Sequence, residues 1–373
     1  MSMKVYVGMS GGVDSSLTAA LLVEQGYDVT GVYMKNWSQD LPGMVCPWKD
    51  DYQDAKRVAV QLGIPFTLYD FQTEYRAHVV DYMLAEYQAG RTPNPDIMCN
   101  QEVKFKLFLN AALADGADMI ATGHYARVEQ SKEAEDLVGQ GQSGALYRAQ
   151  NREKDQTYFL YRVTEQALGR SRMPIGYFAT KAEVRAEAER RGLATAHKKD
   201  SQGICFVGKV GVRDFLQHEL GEQPHGDIID QNGVRVGQHD GAIYYTIGQR
   251  QGLGVGGGLP YYVTGKNMAK NEVYVTTDLQ DPGLWRSEIQ LTDVHWVNHP
   301  PEPGHTYGAV TRYRAKPVPA TVSTTLEANL GGQSSLSSKC VVICLQEPVR
   351  AVTPGQSAVL YDGDRVVGGG IVV

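Results

Sequence analysis

The junction between Lys4-Val5-Tyr6-Val7-Gly8-Met9 and Ser10-Gly11-Gly12-Val13-Asp14-Ser15-Ser16 constrains this chain more than any other feature. The first run reads as a strand, and the pattern from Asp14 to Gln25, stopped by Gly26, reads as a helix. A strand that feeds a helix through a Gly-rich turn leaves the first helical N–H groups unpaired at the positive end of the helix dipole. Two glycines let a ligand approach that backbone closely, so a phosphate belongs there. The Gly-Lys-Ser/Thr ending of a Walker A loop and the three-glycine spacing of a dinucleotide fingerprint are both absent. An ordinary Gly-rich turn would account for Gly11-Gly12 but not for the Ser and Asp residues around them.

Short β-branched runs and helical patterns alternate to about residue 125, as in a parallel sheet with crossover helices. Val29 to Met34, Phe66 to Phe71 and Met119 to Thr122 read as strands; Asp50 to Leu62, Thr73 to Gln88 and Val103 to Ala114 read as helices. The fold class expected is α/β, with an N-terminal doubly wound parallel sheet. Residues 129 to 145 are polar, acidic and Gly-rich and read as a surface loop. Thr180-Lys181-Ala182-Glu183 has capping-box form ahead of a charged helix that ends at Gly192. From Gly208 onward short strands take over, separated by turn signals such as Gln231-Asn232-Gly233 and Asp362-Gly363-Asp364. The expected organisation is the α/β domain over 1–207, a small mixed or β central domain over 208–280 and a C-terminal β-barrel over 281–373.

Composition limits compartment and partners. The longest apolar run, Cys340 to Leu345, has six residues, against the ~18 of a membrane span, so no membrane association is expected. The N-terminus lacks the apolar core and cleavage site of a signal peptide. Five cysteines, Cys46, Cys99, Cys205, Cys340 and Cys344, are too few and too irregularly spaced for a disulfide framework, and a reducing, cytoplasmic setting is expected. A net charge of −6 would not draw the whole molecule to a phosphate backbone. Residues 148 to 199, however, carry twelve Lys/Arg against six Asp/Glu, while residues 1 to 147 carry eleven against nineteen. A solvated helix face explains Lys181 to Arg191 taken alone; the rest of the segment carries the nucleic-acid case.

Two cysteine-bearing segments follow. Arg91-Thr92-Pro93-Asn94-Pro95-Asp96-Ile97-Met98-Cys99-Asn100 is stiffened by two prolines and presents a carboxylate and a thiol three residues apart at a helix start, where a thiol's pKa falls. Asp200-Ser201-Gln202-Gly203-Ile204-Cys205-Phe206-Val207-Gly208 places a Gly-flanked cysteine at the end of the basic segment. Either cysteine alone reads as a small buried hydrophobe; beside a phosphate loop the balance turns toward chemistry.

Ser10 to Ser15 is similar to the PP-loop signature of ATP pyrophosphatases, enzymes that cleave ATP between its α and β phosphates. Taken with the two cysteine segments, the chain resembles the bacterial tRNA-specific 2-thiouridylase family from Gly8 to its C-terminus. The resemblance is carried by the phosphate loop, Asn94-Pro95-Asp96 with Cys99-Asn100, Ala121-Thr122-Gly123-His124-Tyr125-Ala126, Lys154-Asp155-Gln156-Thr157-Tyr158, Gly203-Ile204-Cys205-Phe206, Thr311-Arg312-Tyr313-Arg314 and Thr353-Pro354-Gly355-Gln356-Ser357. Residues 129 to 145 depart from the family pattern as an insertion.

The resemblance implies an adenine-nucleotide α-hydrolase-like sheet and thiolation of the wobble uridine of tRNA. ATP would adenylate uracil O2 with release of pyrophosphate, and sulfur would then arrive from a cysteine persulfide. Gly8, Met9, Ser10, Gly11, Gly12, Val13, Asp14 and Ser15 would hold ATP, with Met34 and Gly123 beside it. Charge on the phosphates calls for Mg²⁺; Asp14 is the nearest carboxylate and would otherwise cap the helix. Cys205 would carry the persulfide and Cys99 would complete the transfer, ending in a Cys99–Cys205 disulfide. The two positions are 106 apart in sequence, and their Cα atoms would have to come within ~7 Å. Asp96 would serve as acid/base or, failing that, as a helix cap. Asn94, Pro95 and Asp96 would line a pocket for the flipped base, and His124, Lys154, Asp155, Gln156, Arg312, Tyr313 and Gln356 would contact tRNA. The sulfur donor would be a relay protein or a cysteine desulfurase. Cys46, Cys340 and Cys344 match no catalytic motif, and no zinc site is expected. Two alternatives stay open at this point: another PP-loop enzyme, such as a 4-thiouridine synthetase or small-molecule ligase, and a non-enzymatic tRNA-binding sulfur carrier.

Overall fold

The computed structural model describes residues 2–41, 45–130, 143–199, 211–256, 258–326 and 340–373. Through residue 172 the strands are β1 (Lys4–Gly8), β2 (Asp28–Lys35), β3 (Phe66–Asp70), β4 (Met119–Thr122), β5 (Ala126–Gln130), β6 (Gly144–Arg148) and β7 (Ser171–Arg172). Five of them form a parallel sheet in the order β3-β2-β1-β4-β7. Val5, Val7 and Ile120 are fully buried, as strands covered by helices on both faces must be. Helix α1 (Val13–Glu24) is buried over most of its circumference and is sandwiched between the sheet and the helix Lys181–Arg190, whose Val184 and Ala188 join the same core. Fully burying Leu17 there is worth about 1.5–3 kcal/mol. Helix α2 (Trp48–Leu62) turns only Ala55, Val58 and Ala59 inward and ends at Gly63, whose φ of 67° is the left-handed cap that glycine adopts without strain. The stretches 72–88 and 95–114 are helical throughout, each with a π-helical segment, at Arg76–Val80 and Cys99–Leu107.

The second sheet, β8 (Gly226–Ile229), β9 (Arg235–His239), β10 (Tyr262–Asn267) and β11 (Glu272–Thr276), runs in the order β10-β11-β8-β9. A helix, Val212–Leu220, precedes it where short strands alone were expected; its Phe215 and Leu216 are buried in the main core. The last six strands are β12 (Trp285–Trp296), β13 (Tyr307–Val310), β14 (Val318–Leu326), β15 (Cys340–Arg350), β16 (Ser357–Asp362) and β17 (Arg365–Val372). They run β12-β15-β14-β13-β16-β17, and the β12–β17 pairing closes the ring into a six-stranded barrel that leaves few edges to protect.

The expected loop over 129–145 needs correction at both ends. Ala126–Gln130 and Gly144–Arg148 pair as an antiparallel hairpin, Ala126 opposite Arg148 and Gln130 opposite Gly144, around residues outside the described set. β6 also pairs with β17, Tyr147 opposite Arg365, so a hairpin that leaves the parallel-sheet layer extends the barrel's sheet. Asp364, at the β16–β17 turn, accepts Arg127 at 3.2 Å and Arg152 at 2.6 Å. Arg162 donates to the Asp293 carbonyl at 2.6 Å and to its carboxylate at 2.8 Å, and also to Gln101. One apolar core accordingly runs from Val79, Phe108 and Tyr161 to Val310, Val359 and Val366. Among the described residues no helix is long and apolar enough to cross a membrane.

Candidate active site

The carboxyl ends of β1, β2 and β4 open into a cleft of ≈ 340 Å³. β1 lies where the strand order reverses, the switch point at which parallel sheets bind ligands. Gly8, Met9, Ser10, Asp14 and Ser15 line it together with Met34 from β2 and Gly123 from beyond β4. Gly11, Gly12 and Val13 belong to the same turn. Gly12 is the N-cap of α1 and no side chain caps the helix, so its first N–H groups face the cleft unclaimed by a side chain. The loop is held by its own hydroxyls: Ser10 N–H donates to Ser15 Oγ at 3.1 Å, and Ser16 Oγ donates to the Gly12 carbonyl at 2.8 Å. Gly11 has φ +75°, and a Cβ there would lie 2.3 Å from the Asp51 carbonyl oxygen. A Cβ on Gly123 would lie 2.7 Å from the Ser15 nitrogen. Both glycines are therefore demanded by close backbone approach, and the cradle they shape suits a polyphosphate.

Asp14 is neither the helix cap nor a free carboxylate. Lys181 Nζ donates to both of its oxygens at 2.7 Å, and Tyr125 OH donates to one at 2.9 Å. Its carboxylate is thus already paired with a lysine and a tyrosine, and among the described residues no three His, Cys, Asp or Glu side chains cluster as a metal site. Lys181, which reads in sequence as part of a solvated face, is in fact held against the phosphate loop. Its Thr180 cap is as expected: Glu183 N–H donates to Thr180 Oγ1 at 3.1 Å, and Glu183 Oε2 accepts from Ala179 N–H at 3.0 Å. Lys198 acts similarly, bonded to Asp51 at 2.8 Å and Asp54 at 2.6 Å, bracing the backbone that Gly11 touches.

On the opposite wall stand Lys104, Thr122, His124 and Gln156. His124 is buried, and burial, with help from Lys104, holds its imidazole well below its ordinary value, so the ring is neutral. Its Nδ1 pairs with Thr122 Oγ1 at 2.8 Å. Gln156 is fixed by Tyr125 N–H at 2.9 Å. Lys104 also faces Asp96, whose carboxyl is held above its ordinary value by burial and drawn partly back by the lysine. The cap of this helix is Asn94, whose side chain accepts from Asp96 N–H at 3.2 Å, so Asp96 is not needed as a cap. Cys99 follows one turn later, 4% exposed and not in a disulfide. Cys205 lies outside the described residues.

The raised carboxyl of Asp96 makes a signed prediction. The folded protein holds this proton more tightly than the unfolded chain, so the stability it contributes is complete below its ordinary 3.8 and is lost as pH rises through the higher folded value. Asp96→Asn should therefore raise the thermal midpoint at pH 7 relative to wild type, with the gap closing below about pH 4; scanning calorimetry across that range reads it. Loss of activity in the same variant would mark a site that trades stability for chemistry.

The remaining tRNA candidates do not share this cleft. Lys154, Asp155 and Tyr313 border a second cavity of ≈ 500 Å³ with Arg148, Arg152, Arg314 and Lys316, between the hairpin and the barrel. The Arg148 guanidinium stacks 3.8 Å from the Tyr361 ring centre. Asp155 accepts Ala149 N–H at 2.9 Å and Thr157 Oγ1 at 2.8 Å, bonds that order the local turn. Gln356 turns inward, its Nε2 donating to the Thr92 carbonyl at 2.7 Å, while Arg312 stays exposed and donates to the Ala351 carbonyl at 3.4 Å. Thr92 N–H in turn donates to the Pro354 carbonyl at 2.9 Å, so the barrel grips the loop that leads to Asn94, Pro95 and Asp96.

Sequence reasoning missed Asn36, Trp37, Cys46, Pro47 and Trp48, which close the β2 side of the first cleft. The clustering of Trp and Pro just after a strand end was the available signal. Burial raises the Cys46 thiol above its ordinary value, which suits packing better than attack.

Residues 3–209 match the family described as a tRNA methyl transferase HUP domain, 213–277 the corresponding PRC-barrel domain and 286–372 an aminomethyltransferase beta-barrel domain. Curated relatives named tRNA-specific 2-thiouridylase MnmA are 48% identical over 372 residues in Halalkalibacterium halodurans and 45% identical over 372 in Bacillus subtilis, each alignment covering 99% of this chain and 94% of the relative. The relative in Enterococcus faecalis is 45% identical over 376 residues, covering 99% of this chain and 95% of its own.

Proposed function

Because this chain belongs to the tRNA-specific 2-thiouridylase family and is thus an ATP-using tRNA sulfurtransferase, we propose that it thiolates the wobble uridine by adenylating uracil O2 and then delivering sulfur from a cysteine persulfide. The observation that carries this reading is the cleft, in which a phosphate cradle faces Lys104 and His124. Oxide is a poor leaving group. When ATP is bound, its α-phosphate supplies the activation: the C2 carbonyl oxygen of uracil attacks phosphorus, pyrophosphate leaves, and AMP later departs with the oxygen. The N-terminal N–H groups of α1 and the Gly11–Gly12 turn stabilise the charge on the departing pyrophosphate. Mg²⁺ belongs to this reading as the counter-ion of the phosphates.

Asp96, whose carboxyl burial holds above its ordinary value against the pull of Lys104, exchanges the proton on the uracil ring or the thiol. Asn94 and Pro95 shape the pocket for the flipped base, and Lys154, Tyr313 and their basic neighbours hold the anticodon backbone. Either the outer sulfur of the Cys205 persulfide attacks the activated uracil carbon and displaces AMP, and Cys99 then attacks the Cys205 sulfur and frees the thiolated base, or Cys99 attacks the Cys205 sulfur first and releases sulfide, which displaces AMP; on both routes the persulfide S–S bond breaks as a Cys99–Cys205 disulfide forms. A relay protein or a cysteine desulfurase of the cytoplasm loads Cys205.

The test is pyrophosphate release in the presence of tRNA bearing an unmodified wobble uridine. Release dependent on that tRNA supports the proposal. Release that depends instead on a small-molecule acceptor indicates a ligase, and no release indicates a sulfur carrier.

A further inference from the structure

We propose that Thr92 is a positioning residue for the base pocket, and that the second sheet and the barrel act on the reaction by holding Asn94, Pro95 and Asp96 in place through it; this rests on the base-pocket reading above. Each polar group of Thr92 meets a distant part of the chain. Its N–H donates to the Pro354 carbonyl at 2.9 Å, its carbonyl accepts from Gln356 Nε2 at 2.7 Å, and its Oγ1 pairs with Thr246 Oγ1 at 3.1 Å. Pro354 and Gln356 belong to the loop between β15 and β16 of the barrel, and Thr246 to the loop between β9 and β10 of the second sheet. Through this one residue, both later units hold the first.

The partners are themselves fixed. Thr246 N–H donates to Gln249 Oε1 at 3.0 Å, Gln249 N–H donates back to the Thr246 carbonyl at 3.0 Å, and Lys266 Nζ donates to the neighbouring Tyr245 carbonyl at 2.7 Å. On the barrel side Gly355 has φ +90°, and a Cβ there would lie 2.8 Å from the Thr92 nitrogen, so the two backbones touch. Arg91, whose N–H and Nε donate to the Glu86 carbonyl at 2.9 Å and carboxylate at 2.6 Å, pins where the loop starts; Thr92 sets where it points. The chain beyond Thr92 is stiff. Pro93 and Pro95 have locked φ angles, and each restricts the residue before it to extended backbone. Asn94 accordingly has φ −116° and ψ 95°, and its side chain accepts from Asp96 N–H at 3.2 Å. With few soft torsions between them, a shift at Thr92 is carried to Asn94 and Asp96 rather than absorbed.

The experiment removes the hydroxyl pair and keeps the backbone. Thr92→Val and Thr246→Val each delete the same side-chain bond while staying β-branched, and Thr92→Ser keeps a hydroxyl in place. Thiolation of unmodified tRNA with ATP and a persulfide donor gives kcat and the KM for tRNA, and pyrophosphate release gives the KM for ATP. Thr92→Val should lose about tenfold in kcat with both KM values within about twofold of wild type, Thr246→Val should match it, and the double variant should be no worse than either. Thr92→Ser should recover to within about threefold of wild type. The thermal midpoint of each variant is read beside its kinetics, and if one valine variant fails to fold the other decides. A bond that serves stability alone would lower the midpoint and leave kcat per folded enzyme at its wild-type value; that result overturns the positioning role, as do losses that multiply in the double variant or a serine that does not recover. Each of these leaves an active wild type and the base-pocket reading standing. A wild type that releases no pyrophosphate with this tRNA overturns that reading itself.

Discussion

Replacing Cys99 by serine is expected to abolish sulfur transfer to tRNA, with thiolation falling on the order of 10³-fold or more. Serine is nearly the size of cysteine, and its hydroxyl can neither attack the Cys205 persulfide nor form the closing disulfide. The side chain is 4% exposed and packed in the main core, so the substitution costs roughly 1–3 kcal/mol at most and the variant still folds. Its adenylation half stays intact, since the phosphate cradle lies on β1 and α1 while Cys99 lies on the helical stretch 95–114. Cys205→Ser should lose thiolation in the same way. With a persulfide donor, unmodified tRNA and ATP supplied, pyrophosphate release should survive in at least one variant while the 2-thiouridine product is missing from both. Full thiolation by either would refute the two-thiol route.

Gly11→Ala is expected to cripple the other half-reaction. Its backbone sits at φ +75°, where alanine is strained by about 1–2 kcal/mol. More damaging, the new methyl would meet the Asp51 carbonyl oxygen at 2.3 Å, and Asp51 cannot yield freely because Lys198 holds its carboxylate. The phosphate loop must therefore shift. A displacement of about 1 Å in a positioned reactant costs on the order of 10²-fold, so kcat/KM for tRNA-dependent pyrophosphate release should fall by at least that much. tRNA affinity, which on the proposed reading draws on the basic cavity rather than on this turn, should stay near wild type in a filter-binding assay. A kcat/KM within threefold of wild type would show that the turn is not the phosphate cradle.

The parts of this structure legible in the sequence are those whose cause is local. The strand–turn–helix at Gly8 to Asp14 is written in neighbouring residues, as is the left-handed stop at Gly63 and the Thr180 cap. What could not be read depends on partners far along the chain. The β5–β6 hairpin finds its third strand more than 200 positions away, and the insertion between its arms hides the period-two pattern on both sides. β7 is two residues long, too short for any periodicity to register. Lys181 reads as a surface charge because nothing near it in sequence announces Asp14. Gln356 looks like an exposed polar residue until the barrel closes and turns it toward Thr92. In the site, the strand, turn and helix that shape the cleft at Gly8 to Ser15 were legible, whereas the aromatic wall after β2 was visible only as a composition bias with no assigned purpose.

The pairing of β6 with β17 has a bearing on how such proteins can be recombined. Tyr158 donates to the Ser357 carbonyl at 2.8 Å, and Tyr161 pairs with the Ser357 hydroxyl at 3.0 Å, so bonds between the middle of the chain and its barrel lie inside the packed interior. A fragment cut before β12 would expose these tyrosines to water and bare one side of β6. A chimera that grafts the barrel of one relative onto the rest of another inherits a mismatched seam unless residues 126–162 travel with it.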